Sequence, residues 1–87
     1  MNILIIEDDI YLAERLKKVF EKKLISNRIN ILHDYESFVR ELPVIDSYDL
    51  VLTDILLGEL HDKTGIDVIN TIRKKNIKVP VVVISSF

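Results

Sequence analysis

The segment ILIIEDD, residues 3–9, runs four aliphatic side chains directly into three acids, Glu7, Asp8 and Asp9. A second segment, YDLVLTDILLGE at residues 48–59, holds Val51 and Leu52 at its heart and reaches Asp54 at its exit. Both aliphatic runs read as strands. Asn2–Ile6 is so uniformly Ile and Leu that it is expected to be buried on both faces, as in a parallel sheet. Acids at a strand's end add nothing to its core, so they point to a positive group that binds there.

Downstream of the first segment the apolar period changes. Leu12, Leu16, Val19, Phe20 and Leu24 recur at spacings of three and four, with charged residues between them, which predicts an amphipathic helix. Asp9 is placed to cap its start, Lys22 and Lys23 suit its end, and Ser26 and Asn27 break it. Arg28–Leu32 alternates like an edge strand. Tyr35–Leu42 follows as a short helix with Phe38, Val39 and Leu42 inward, ended by Pro43. The third strand is expected over Tyr48–Thr53. A polar loop, Gly58–Thr64, then leads to a helix from about Gly65 to Lys75, with Ile66, Val68, Ile69 and Ile72 on its apolar side. Val79–Ile84 is the most hydrophobic strand, and its Pro80 lies near the beginning, where proline is tolerated. The order is β-α-β-α-β-α-β, which implies right-handed crossovers and a doubly wound parallel α/β sheet covered on both faces.

The totals agree with one small domain over residues 1–87. Hydrophobic residues make up 48% and charged residues 30%, a globular balance. A formal net charge of −2 argues against a nucleic-acid surface. With no cysteine, neither a disulfide framework nor a thiolate metal site can form. No apolar run is long enough to span a bilayer, and the start has no basic region followed by a cleavage site, so a cytoplasmic location is expected.

In an open parallel sheet, ligands bind beyond the carboxyl ends of the strands, where the winding reverses. Glu7 and Asp8 end the first strand and Asp54 the third, so adjacent strands would gather three carboxylates. Two such charges about 4 Å apart repel by roughly 4 kcal/mol at an effective dielectric near 20. Without a cation, one carboxylate is expected to be forced toward protonation. An all-oxygen site with room for water and a phosphate suits Mg²⁺. Asp9 alone reads better as a helix cap than as a ligand. His33 and His61 lack a partner at metal-ligand spacing and read as surface residues, and Lys17, Lys18, Lys74 and Lys75 as solvated helix faces.

Taken together, these residues resemble the receiver domain of two-component response regulators. ILIIEDD is similar to its first strand and acidic cluster, YDLVLTDILLGE to its third strand with the phosphoacceptor aspartate, and TGIDVINTIRKKNIKVPVVVISS to its third helix and fourth strand. The resemblance implies a flavodoxin-like fold, Asp54 as the phosphoacceptor and Mg²⁺ as the cofactor. Asp8 would be a direct metal ligand, Glu7 would act partly through water, Asp54 itself would bind the metal, and the backbone carbonyl of Leu56 would complete the shell. Ser85 would be the hydroxyl switch that hydrogen-bonds the phosphoryl group. The implied partner is a sensor histidine kinase, and the implied role is a two-state signalling switch rather than a conventional enzyme.

The resemblance covers four strands and three helices of a five-unit fold, so the chain is expected to be the N-terminal portion of a receiver, without an output domain. The fifth strand, with its lysine and aromatic switch residue, has no counterpart. Gly58 stands where family members often have proline, and the loop to Gly65 is a few residues longer. An uncovered fourth strand would pair with another copy, which predicts a homodimer or swapped oligomer. Three other readings compete. A phosphorylation-independent pseudo-receiver would normally have lost one of Glu7, Asp8, Asp54 and Ser85. A haloacid-dehalogenase-type phosphatase and a Toprim-like enzyme both need a spaced Asp-x-Asp, which neither Glu7-Asp8-Asp9 nor Asp54-Ile55-Leu56 provides.

Overall fold

The computed structural model describes residues 1–23, 28–57 and 63–84. In chain order they form β1 (Asn2–Ile6), α1 (Ile10–Lys23), β2 (Arg28–Leu32), α2 (Tyr35–Glu41), a 3₁₀ helix (Leu42–Ser47), β3 (Leu50–Asp54), β4 (Leu56–Leu57), β5 (Lys63–Thr64), α3 (Gly65–Lys74) and β6 (Val81–Ile84). Four strands make one parallel sheet in the order β2-β1-β3-β6. From β1 the chain crosses outward to β2, then returns past β1 to β3 and on to β6. The winding therefore reverses between β1 and β3, and the carboxyl ends of those two strands lie side by side.

The alternation along each strand divides the core in two. Leu4, Ile6 and Val51 face α2, the 3₁₀ helix and α3, where they pack with Phe38, Leu42, Ile45, Val68, Ile72 and Val79. Ile3, Ile5 and Leu52 face the other way, against Leu16 and Phe20 of α1. Because β1 is central, its side chains are buried on both faces, as its Ile/Leu composition predicts.

Several helix and strand details differ from the periodicity. Val19, Val39 and Ile66 are exposed, whereas Ala13, a residue too small to mark an apolar stripe, is fully buried on α1. Val68 and Ile72 carry the inward face of α3. As expected, α2 stops just ahead of Pro43. The proline sits in the first turn of the 3₁₀ helix, where its missing N–H has no cost. The last strand begins at Val81 rather than Val79, although the Pro80 carbonyl still joins the ladder by accepting from Val51 N at 2.9 Å. It is also less buried than its composition suggests. Among the described residues β6 pairs only with β3, and Val82 is 47% exposed. No helix among the described residues is long and apolar enough to cross a membrane.

Two short strands, β4 and β5, were not legible as strands. They form an antiparallel ribbon beside the main sheet, with Leu56 opposite Thr64 and Leu57 opposite Lys63. The ribbon lies between Asp54 and α3, so it occupies the start and end of the lengthened polar loop.

Candidate phosphoryl and metal site

Three segments build the site. Glu7 leaves β1 with its amide donating to Leu32 O at 2.9 Å, which keeps the strand in register one residue beyond its pairing. The chain then turns into α1, and Asp9 Oδ1 accepts from Leu12 N at 3.1 Å as an N-cap does. Asp54 ends β3, opposite Ile84 of β6. Carboxylate oxygens of Glu7, Asp8 and Asp54 all lie within 4.8 Å of one another.

Burial sets the electrostatics. Glu7 is 3% exposed and Asp54 7%, while Asp8 is open to solvent. Ile5, Leu16, Leu52 and Ile84 line the crevice that Glu7 and Asp54 share. This apolar burial, followed by a hydrogen bond with Asp8 and the charges of Asp54 and Asp8, pushes the Glu7 carboxyl up from 4.5 to about 8. The Asp9 amide, which donates to Glu7 Oε2 at 3.2 Å, opposes the shift without reversing it. Near neutral pH the metal-free site thus holds a proton on Glu7.

Asp54 Oδ1 is buried and has no hydrogen-bond partner among the described residues. A buried carboxylate oxygen left unpaired costs free energy, and a cation or an electrophile at this point would relieve it. The donor set is all oxygen, part buried and part open to water, so the residues fit Mg²⁺.

The ribbon controls what surrounds Asp54. Gly65 N donates to Ile55 O at 2.9 Å. In an antiparallel ladder, bonded and non-bonded pairs alternate, so Leu56 and Thr64 form a non-bonded pair. The N–H and C=O of Leu56 consequently point away from β5 and remain free of the ribbon's own ladder. Gly65 fits only as glycine, since a Cβ there would meet Asp54 O at 2.7 Å and Val83 Cγ1 at 3.0 Å. Thr64 then starts α3 with a capping box, accepting from Asp67 N while the Asp67 carboxylate accepts from Thr64 N.

Sequence reasoning missed His33. It lies on the surface, as expected, yet its Nδ1–H donates to the Glu7 carbonyl at 2.9 Å and braces the turn that carries the acids. The signal was register. Leu32 pairs with Ile6, so the next residues on the two strands, His33 and Glu7, must be neighbours. Ser85, the expected hydroxyl switch, and residues 58–62 of the lengthened loop lie outside the described residues.

With this geometry in view, the comparisons with known proteins converge. The family model described as the response regulator receiver domain matches residues 3–87. The chain is similar to the MaeR response regulator bound to beryllium trifluoride, with a TM-score of 0.85 and 30% identity over 100% of this chain and 68% of that one. It is also similar to the N-terminal domain of an uncharacterized protein from Wolinella succinogenes, with a TM-score of 0.79 and 26% identity over 100% of this chain and 65% of that one. A third is the non-phosphorylated HemR receiver domain from Leptospira biflexa, with a TM-score of 0.77 and 29% identity over 98% of this chain and 64% of that one. No curated protein matches. The chain belongs to the response regulator receiver family. It spans about two thirds of the length of these structures. Receiver domains are phosphoacceptor signalling domains, whose general partner is a histidine kinase and whose acidic pocket typically takes Mg²⁺.

Proposed function

We propose that Asp54 accepts a phosphoryl group from a phosphohistidine on a sensor histidine kinase. The observation that carries this reading is Asp54 Oδ1, a buried, unpartnered carboxylate oxygen within the Glu7, Asp8 and Asp54 cluster. Asp54 Oδ1 would attack phosphorus in line, forming an O–P bond as the P–N bond of the phosphohistidine breaks and its electron pair returns to the imidazole. Glu7, Asp8, Asp54 and the Leu56 carbonyl would hold Mg²⁺. When bound, that ion would neutralise charge on the transferring group.

The chain's own residues prepare the rest. Asp8, exposed beside the two buried acids, would be the direct ligand with access to water. Glu7 must lose its proton to take part, and does so more readily as its neighbours' charge is balanced. The outward-facing carbonyl of Leu56 supports its assignment to the metal shell. Asp54 enters from a strand whose backbone is paired on both sides, by β1 and β6, which fixes the point from which its carboxylate would attack. Ser85 would hydrogen-bond the phosphoryl oxygens and turn phosphorylation into a rearrangement of nearby surface, as a two-state switch.

The similarity to a receiver bound to beryllium trifluoride supports a site that takes a phosphoryl-like group. The kinase partner would be met in the cytoplasm. Among the described residues β6 pairs with β3 alone, and its other edge would admit a second copy as a further mode of association. Transfer from a phosphorylated histidine kinase, followed by phosphate-affinity gel mobility, tests the function. A shifted band requiring both Mg²⁺ and Asp54 is expected. An equal shift in Asp54→Asn would move the acceptor elsewhere.

A further inference from the structure

The ribbon that follows Asp54 is fastened by a closed circuit of side chains. Lys63 Nζ of β5 sits 5.2 Å from the centroid of the Tyr35 ring, at the start of α2. The Tyr35 hydroxyl bonds Thr71 Oγ1 of α3 at 2.7 Å. Thr71 spends its own proton on Asp67 O at 2.8 Å, so Tyr35 is the donor to Thr71. Asp67 Oδ2 accepts from Thr64 N at 2.8 Å and Thr64 Oγ1 at 3.2 Å, and Thr64 is the residue next to Lys63. Three elements, α2, α3 and β5, thus close on one another.

What the circuit holds matters for the site. Leu57 faces Lys63 in the ribbon, and Leu56, whose carbonyl is free of the ladder, faces Thr64. Both residues opposite the Asp54-proximal strand are therefore pinned, one by an aromatic ring and one by the capping box. We propose that Lys63 and Tyr35 are positioning residues for the phosphoacceptor site: by docking the ribbon on α2 they set the place of the Leu56 carbonyl relative to Asp54, and with it the site's affinity for a divalent cation. This inference rests on the metal site proposed above. Neither residue touches the metal or the phosphoryl group.

The test is calorimetric titration of the native polypeptide with Mg²⁺, paired with amide exchange in the metal-free state. An exposed cation–π contact carries a two- to five-fold effect, so Lys63→Gln and Tyr35→Leu are each expected to raise the Mg²⁺ Kd by about that factor. Lys63→Arg retains the cation over the ring and should restore it, whereas Tyr35→Phe keeps the ring but loses the bond to Thr71 and should restore it only in part. The double variant Lys63→Gln with Tyr35→Leu should add nothing to the single ones. Exchange at the Leu57 amide should quicken in Lys63→Gln while that at Leu4, in the central strand, stays unchanged. If wild type binds Mg²⁺ and Lys63→Gln binds it equally well, the positioning role is overturned while the metal site stands. Failure of Lys63→Arg to restore affinity would also overturn it. Absence of Mg²⁺ binding by wild type would remove the metal site and this inference together.

Discussion

Glu7 and Asp54 leave adjacent parallel strands one residue beyond the Ile6–Thr53 pair, and both carboxyls are buried where the sheet's winding reverses. Their closeness makes each a liability to the other until a positive charge arrives. The consequences can be measured.

The first concerns pH. The Glu7 carboxyl titrates at about 8 in the folded chain against 4.5 as an ordinary carboxyl, so the folded state holds the proton more tightly. Its contribution to stability is fully present below 4.5 and is lost as pH rises toward 8. The metal-free melting temperature should fall across that window. Glu7→Gln should flatten the fall, as read by thermal melts in chelator. A wild-type profile already flat there would contradict the burial argument.

Metal binding should expel that proton. Below pH 8 each Mg²⁺ taken up is expected to release up to one proton, and apparent affinity should rise with pH, then level off above 8. Calorimetry in two buffers of different ionisation enthalpy counts the protons directly. Glu7→Gln should abolish the release.

Gly65 gives a steric prediction. A methyl group there would meet the Asp54 carbonyl at 2.7 Å, a backbone atom that the strand holds in place, with Val83 Cγ1 at 3.0 Å and Thr53 Cγ2 at 3.2 Å beside it. Gly65→Ala should destabilise the fold by about 1–3 kcal/mol, measured by urea unfolding. Because the clash falls on the acceptor's own backbone, it should also weaken Mg²⁺ binding.

The edge of β6 gives another. Val82 is half exposed on a strand with one partner among the described residues. Val82→Lys should reduce concentration-dependent association in light scattering without lowering the melting temperature, since charge on an edge strand blocks pairing. Association unchanged by the substitution would place the contact elsewhere.

Much of this was legible in the chain itself. The unbroken Ile and Leu of β1 and the acids that follow it follow directly from burial on two faces and from the rule that open parallel sheets bind ligands at their carboxyl ends. Asp9 as a cap was legible for a local reason, its spacing to the first turn. What stayed hidden depended on partners distant in sequence. His33 reaches Glu7 only through the β1–β2 register, and Lys63 meets Tyr35 only once α2 and the ribbon are docked. Two-residue strands such as β4 and β5 are too short to show a period. Ile66 and Val39 mislead because an apolar residue on a helix flank can face water at little cost.

The most direct test is the intact mass of the chain after incubation with Mg²⁺ and acetyl phosphate, beside Asp54→Asn. A single phosphoryl adduct on the wild type, absent from Asp54→Asn and absent in chelator, is the predicted result. No adduct on the wild type, or an equal adduct on Asp54→Asn, would contradict the assignment of Asp54 as the phosphoacceptor.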